Sequence, residues 1–350
     1  MSRIHVISFR LGGTDGVSIE AAKWVRALES LGHEVRTVAG EGEVDSLVTG
    51  LAIGATEAPP IDELERALDG ADVVIVENLA SLPLNIAARE ALYAVLRDRP
   101  AIFRHHDLAW QRAELAHLDG PRDRPTWHHV TINELSRREL AQRGIDATTI
   151  MNSFDCDPVL GNRSRAREIL DVSDQAVALL ATRAIARKNV PGAIELARRL
   201  GAVLWLLGPA EDGYSSVLES LLADSGIEVR RGLPAGLDVH DAYAGCDLVV
   251  MSSTWEGFGN PVLESVTHRR ALALYPYPVA REIASYGFDF FDLHDVEGIR
   301  EFLASPREEL FQQNVDVART HFNEADLATR LGELLASSGV HRMATNLLPW

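Results

Sequence analysis

A chain of 350 residues with 46% hydrophobic and 24% charged residues has ordinary globular composition and the length of about two domains. Lys and Arg number 34 against 51 Asp and Glu, a formal net charge of −17, which argues against nucleic acid or an anionic membrane surface as the main partner. Two cysteines, Cys156 and Cys246, lie far apart and outside any CxxC spacing, so neither a zinc site nor a disulfide framework is supported.

The opening "MSRIHVISFRLGG" holds one basic residue before a strand-length apolar run, too short for the apolar core of a signal peptide. No run approaches the ~18 apolar residues of a membrane span, and a cytoplasmic protein is expected. Strands and helices then alternate, the pattern of a parallel sheet covered on both faces. The first half reads as "IHVISF", a helix over 18–31, "HEVRTV", a helix over 61–68, "DVVIVE", a helix over 84–96, "AIFRH", and, after a polar stretch, "HHVTIN" and "ATTIMN".

Near Ser153 the chain changes character. "SFDCDPVLGNRSRA" has loop composition, and a second alternating series follows: "AVALLATR", a helix over 190–200, "AVLWLLG", a helix over 215–224, "IEVRRG", "DLVVMSS", a helix from Pro261, and "ALALYP". The expected domains are 1–152 and 153–325, followed by a C-terminal helix over 326–350 able to cross back to the first. Both halves read as doubly wound, so ligand-binding residues should stand just after strands.

After the first strand, "FRLGGTDGVS" places Gly12, Gly13 and Gly16 in a turn opening a helix, where close backbone approach and the helix N-terminus favour an anion. The spacing is not G-x-G-x-x-G, and no acidic residue ends the second strand, so a dinucleotide fold is disfavoured. "RHHDLAWQR" concentrates Arg104, His105, His106, Asp107 and Arg112 at a strand end. Adjacent histidines on a strand point to opposite faces, so one of them should be buried against structure. A neutral imidazole there can hydrogen-bond a hydroxyl, with Asp107 able to orient it. Trp110, Trp127 and Tyr93 are candidates for stacking on a sugar, though core or loop packing is the commoner use of such side chains.

In "TRAIARKN", Arg183 and Lys188 straddle a strand-to-helix turn and suit a diphosphate, while Arg187 reads as solvated. "WEGFGNPVLE" follows a buried strand: Gly257, Gly259 and the turn after Pro261 offer N–H groups to a phosphate, with Phe258 and Asn260 in the same loop. Glu256 is placed towards a sugar's hydroxyls. Glu264, expected on the first helical turn, is placed to accept bonds from a vicinal diol such as a ribose. Two carboxylates also invite a glycoside-hydrolase reading, but their position beside a phosphate cradle fits binding better.

These residues carry a resemblance. A glutamate, a Gly-Phe-Gly segment and a second glutamate after seven intervening residues (Glu256 to Glu264), the basic pair Arg183 and Lys188, the glycine loop with Gly12 and Gly13, and His106 in "HHD" recur in the order found in the retaining group 1 glycosyltransferases, family four. "IMNSFD" resembles that family's interdomain turn, with Ser153 where glycine is common. The resemblance spans nearly the whole chain and implies the GT-B fold, an α/β architecture of two Rossmann-like domains facing across a cleft. It implies transfer of a sugar from a nucleoside diphosphate donor, UDP- or GDP-linked, to a hydroxyl acceptor with retention, in carbohydrate biosynthesis. Since Glu256 is better placed on sugar hydroxyls and Asp107 beside His106, no residue reads as a carboxylate nucleophile, and a same-face mechanism is expected. The resemblance further implies His106, Arg183, Lys188 and Glu256 as catalytic groups and Gly12, Gly13, Gly257, Phe258, Gly259, Asn260 and Glu264 on the donor; beside the matched residues, His105, Asp107 and Trp110 are candidates for the acceptor side. Neither a metal nor another cofactor is implied. A GT-B epimerase or phosphorylase, and a nucleotide-sugar-binding module without turnover, are the alternatives. Donor base, sugar, acceptor, linkage and oligomeric state stay open.

Overall fold

The computed structural model of the chain describes residues 1–172 and 174–338, which form two compact units. The first comprises Met1–Asn152 and returns from Glu324 onward; the second is Ser153–Asn323. The expected helix over 326–350 lies outside the described residues beyond Ser338.

The first unit runs β1 (Arg3–Arg10), α1 (Gly16–Ser30), β2 (Glu34–Glu41), β3 (Ser46–Leu47), α2 (Ile61–Ala67), β4 (Val73–Glu77), α3 (Ile86–Val95), β5 (Ala101–His105), β6 (Trp127–Thr131), α4 (Glu134–Ala141) and β7 (Ala147–Thr149). Its seven strands are all parallel, in the order β3-β2-β1-β4-β5-β6-β7. Central strands of such a sheet are covered on both faces, which is why Val73–Glu77 and Ala101–His105 are buried at every position. Helix starts are set by local chemistry. Asp15, Asn85 and Asn133 each accept backbone N–H bonds from the first turn that follows, so α1 starts two residues earlier and α3 two residues later than their apolar periodicity alone predicts.

The second unit runs α5 (Arg163–Leu170), β8 (Val177–Leu180), α6 (Val190–Leu200), β9 (Val203–Leu206), α7 (Ser215–Ala223), β10 (Val229–Arg231), α8 (Val239–Gly245), β11 (Leu248–Met251), α9 (Asn260–Thr267), β12 (Ala271–Leu274), α10 (Pro278–Ala284), β13 (Phe291–Asp292), α11 (Val296–Ala304) and α12 (Glu308–His321). Its six strands, again parallel, have the order β10-β9-β8-β11-β12-β13. In each sheet the winding direction reverses at the first strand, between β1 and β4 and between β8 and β11. Loops leaving those strands diverge and leave the crevice in which α/β sheets bind ligands.

The chain then re-enters the first unit as α13 (Leu327–Ser337). Its buried Leu327, Leu331, Leu334 and Leu335 join the core formed by Ile4, Val6, Trp24 and Leu28 on one face of the first sheet. No helix among the described residues is long and apolar enough to cross a membrane. Because Leu331 is 1% exposed within that core, Leu331→Ala should cost about 2–5 kcal/mol of stability, read by urea unfolding. A variant as stable as the parent would show that α13 adds little to the first unit.

Candidate active site

At the switch point of the second unit, β8 leads through Arg183 to a single 3₁₀ turn, Ala186–Lys188, and β11 leads through Ser252 to the glycine turn before α9. The two loops are joined by ion pairs. Lys188 Nζ bonds Glu256 Oε1, and Arg187 Nη1 lies 2.5 Å from Glu256 Oε2 and 3.0 Å from the Trp255 carbonyl. Glu256 and Lys188 are both buried. Burial alone would raise the Glu256 carboxyl, but the charges of Lys188 and Arg187 outweigh it and bring its pKa down to about 2. Burial, offset in part by Glu256, lowers Lys188 from its ordinary value, and the neighbouring Arg187 and Arg183 charges push the same way. Arg183 itself reaches Glu211 at 2.5 Å on a half-exposed surface. The cation that shares Glu256 with Lys188 is therefore Arg187, which corrects its expected role as a solvated side chain, whereas Arg183 pairs with Glu211.

The turn itself is built by Gly259, Phe258 and Tyr277. Gly259 has φ +91°, and a Cβ there would stand 2.3 Å from Tyr277 Oη, so glycine is required twice over. Tyr277, buried, donates its hydroxyl to the Phe258 carbonyl at 2.8 Å. The Phe258 ring turns inward against Phe154 and Phe322. This corrects its expected place on the donor: a ring 3% exposed anchors the loop. The turn and Pro261 start α9 at Asn260, so Glu264 falls on the second helical turn, not the first. No side chain caps this helix. Tyr243, fully buried, donates to Glu264 Oε2 at 2.6 Å and thereby aims the carboxylate. Burial and the Glu264 charge push the Tyr243 phenol well above its ordinary pKa.

The first unit has its own polar centre at the ends of β4 and β5. His106 Nε2 is 2.6 Å from Glu77 Oε2, and the backbone N–H groups of His106 and Asp107 both donate to Asn78 Oδ1. Asp107 does not orient the imidazole as expected; it pairs with Arg112 at 2.6 Å. His105 points the other way. Its ring stacks on His129, with Nε2 2.8 Å from Nδ1 of that residue, and burial, then the charges of His129 and His106, drive it far below the ordinary histidine pKa. That orientation removes His105 from the acceptor side. Trp110 is likewise committed: its indole donates to Glu139 Oε2, the Arg143 guanidinium lies 3.7 Å from its ring centroid, and a Cβ on Gly120 would be 2.4 Å from its Cζ3. Tyr93 and Trp127 stack on each other inside the core.

The glycine loop after β1 has a structural cause. Gly12 has φ +77°, and a Cβ there would meet the Glu43 carbonyl at 2.8 Å, whereas Gly13 has no comparable clash. Asp15 closes the N-terminus of α1, accepting from the N–H groups of Val17 and Ser18 and from the Ser18 hydroxyl. This loop thus differs from the one before α9, which lacks a side-chain cap. Among the described residues no group of three or more His, Cys, Asp or Glu side chains is set to hold a metal ion.

Residues 162–304 match the family model described as "Glycosyl transferases group 1". The chain carries a group 1 glycosyl transferase domain. Arg187, Lys188, Glu256 and Glu264 all fall within that domain. Over 92% of its length the chain is 26% identical to mannosylglucosylglycerate synthase of Thermotoga maritima, 96% of which is covered; the enzyme of the same name from Petrotoga mobilis is 25% identical over 83% of the chain and 86% of its own. The crystal structure of Anabaena Alr3699/HepE in complex with UDP and glucose superimposes with a TM-score of 0.79 at 16% identity, covering 96% of this chain and 100% of that one. AviGT4, a glycosyltransferase involved in avilamycin A biosynthesis, gives 0.62 at 18% identity over both full chains. The fold is GT-B.

Sequence reasoning missed Arg187, Tyr243, Tyr277, Glu77 and Asn78. Glu77 had a readable signal: a charge closing an otherwise apolar parallel strand at its C-terminal end. The transferase domain also depends on pH through Glu256. A carboxyl at about 2 when folded and 4.5 when free contributes stability that is complete above about 4.5 and lost as pH falls towards 2. The loss should be roughly 3 kcal/mol, and Glu256→Gln should flatten the stability profile across that window in acid titrations followed by denaturant unfolding. An unchanged slope would mean that Glu256 is no better paired in the folded chain than in the unfolded one.

Proposed function

We propose that this glycosyl transferase moves a sugar from a nucleoside diphosphate donor, UDP- or GDP-linked, to a hydroxyl acceptor, with retention at the anomeric carbon and without a metal ion. The observation that carries the reading is the buried Glu256 paired with Lys188 and Arg187 in the loops that lead to α9, whose N-cap is Gly259. A leaving diphosphate gains negative charge as its glycosidic bond breaks. Fixed cations and helix N–H groups stabilise that charge without reorganising, which is the role a metal has in other transferases. Lys188 and Arg187 supply the cations, with Arg183 reaching in from the rim. Glu256 keeps both cations in place, and its further acceptor capacity suits the sugar's hydroxyls. Glu264, aimed by Tyr243, takes the ribose diol.

His106 accepts from a sugar hydroxyl and enriches that oxygen in electron density while positive charge develops in the ring. Among the described residues no carboxylate is assigned as nucleophile, and the departing diphosphate takes the acceptor's proton on the face it leaves. The relatives named mannosylglucosylglycerate synthase align with most of the chain, and they favour a mannosyl donor and a glycosylated hydroxy acid as acceptor. The HepE complex with UDP and glucose favours a UDP sugar, but on fold likeness alone. We place the reaction in the cytoplasm. Cys246 is a buried free thiol, which suits a reducing compartment.

The deciding experiment incubates the chain with UDP- and GDP-linked glucose and mannose, with and without glucosylglycerate. Nucleotide release should depend on the acceptor, and proton NMR should show the donor's anomeric configuration in the product. An inverted product removes the same-face mechanism; a rearranged sugar nucleotide without transfer makes the chain an epimerase; donor binding without turnover makes it a binding module.

Glu264→Ala should weaken nucleotide diphosphate binding by roughly 1.5–3 kcal/mol, one to two decades in Kd by calorimetry, with the fold intact. Equal affinity would take Glu264 off the ribose.

A further inference from the structure

We infer that Glu77 is the positioning residue for His106: by accepting from Nε2 it fixes the imidazole tautomer whose Nδ1 offers a lone pair to a substrate hydroxyl. What the histidine then does rests on the glycosyl-transfer reading above. Its placement rests on contacts within the first unit alone.

Glu77 is the last residue of β4, and its side chain is fully buried. One carboxylate oxygen, Oε2, stands 2.6 Å from His106 Nε2; the other, Oε1, stands 3.3 Å from Arg104 Nη1. An ionised carboxylate only accepts, so the short contact requires the hydrogen on Nε2. A neutral imidazole has one N–H, and Nδ1 is left with its lone pair.

Burial by itself would protonate Glu77, yet the charge of Arg104 and the hydrogen bonds donated by His106 and Arg104 hold its carboxyl below the usual range. Arg104 is in turn fixed. It is fully buried, lies 4.3 Å over the Trp24 ring, donates to Asn152 Oδ1 at 3.2 Å and approaches Glu20 Oε2 at 3.5 Å. The backbone is fixed as well. Asn78, next in sequence and in the left-handed region at φ +60°, accepts from the N–H groups of His106 and Asp107 at 3.1 and 3.2 Å. Two consecutive residues at the end of β4 thus hold the ring and the main chain of a histidine 29 positions later. Buried ion pairs are poor devices for stability, because desolvation cancels most of their attraction. They are good devices for fixing one orientation and one proton position, as in the carboxylate–histidine pairs of hydrolases.

Histidine labelled with ¹⁵N in the wild-type chain reads the tautomer directly, with His106→Gln assigning the signal among the 12 histidines. The expected ring carries its hydrogen on Nε2, facing Glu77, and a lone pair on Nδ1. In Glu77→Gln the amide can donate to Nε2, so the proton should move to Nδ1, kcat should fall about 10²-fold, and the donor KM should change by less than about threefold. A wild-type ring with its proton on Nδ1, or on both nitrogens, overturns the inference. So does a Glu77→Gln chain that keeps both tautomer and kcat. Should Glu77→Gln fail to fold, the wild-type spectrum decides alone. The expected tautomer in a chain that transfers no sugar would uphold the positioning and remove only the glycosyl-transfer reading.

Discussion

A carboxylate taken out of water stays ionised only where cations reach it, and both polar centres of this chain are organised by that requirement. Glu256 draws Lys188 and Arg187 inward, and Glu77 draws in Arg104 and accepts a hydrogen bond from His106. In each case desolvation and Coulomb attraction are large and opposed, and attraction prevails only because the partners are locked by further contacts. The two carboxylates also occupy corresponding places. Glu77 ends β4, which neighbours the first strand of its sheet, and Glu256 follows β11, which neighbours the first strand of the other. Repeated doubly wound topology puts chemistry at the same point twice.

The two glycine loops show how one local grammar serves two ends. Before α1 and before α9 a strand leads through glycines of positive φ into a helix. Before α1 the chain supplies its own anion, Asp15, and Gly12 is demanded by the nearby Glu43 backbone. Before α9 no side chain takes that role, and Gly259 is demanded by Tyr277. Glycine in such loops therefore reports a crowded backbone first. Whether an anion is also bound depends on what the neighbouring side chain does with the helix end.

The fold was readable because parallel strands buried on both faces appear as unbroken apolar runs such as "VVIVE" and "LVVM". The edge strands β3 and β13 have two residues each, too few for a pattern, and α5, "RSRAREIL", is too polar to advertise an apolar face. At the site, location after a strand singled out Lys188, Glu256, Glu264 and His106. Which neighbour serves each of them was not readable, since it depends on rotation within a turn. The 3₁₀ turn Ala186–Lys188 carries Arg187, and not Arg183, to Glu256, and register between β4 and β5 decides between Glu77 and Asp107 for the histidine. Tyr243 lies 21 positions from Glu264, beyond any spacing rule.

The return of α13 to the first unit has a consequence for synthesis. Ser153–Asn323 is continuous and can close as soon as it has emerged from the ribosome, but the face of Trp24 and Leu28 waits for Leu331 and Leu334. At translation rates of roughly 5–20 residues per second, that apolar face stays uncovered for about 10–40 s after the rest of its own unit has been made. The unit translated first is thus the last to be completed. During that interval, holdase chaperones and chance encounters between nascent chains compete with α13 for the same leucine-sized vacancies.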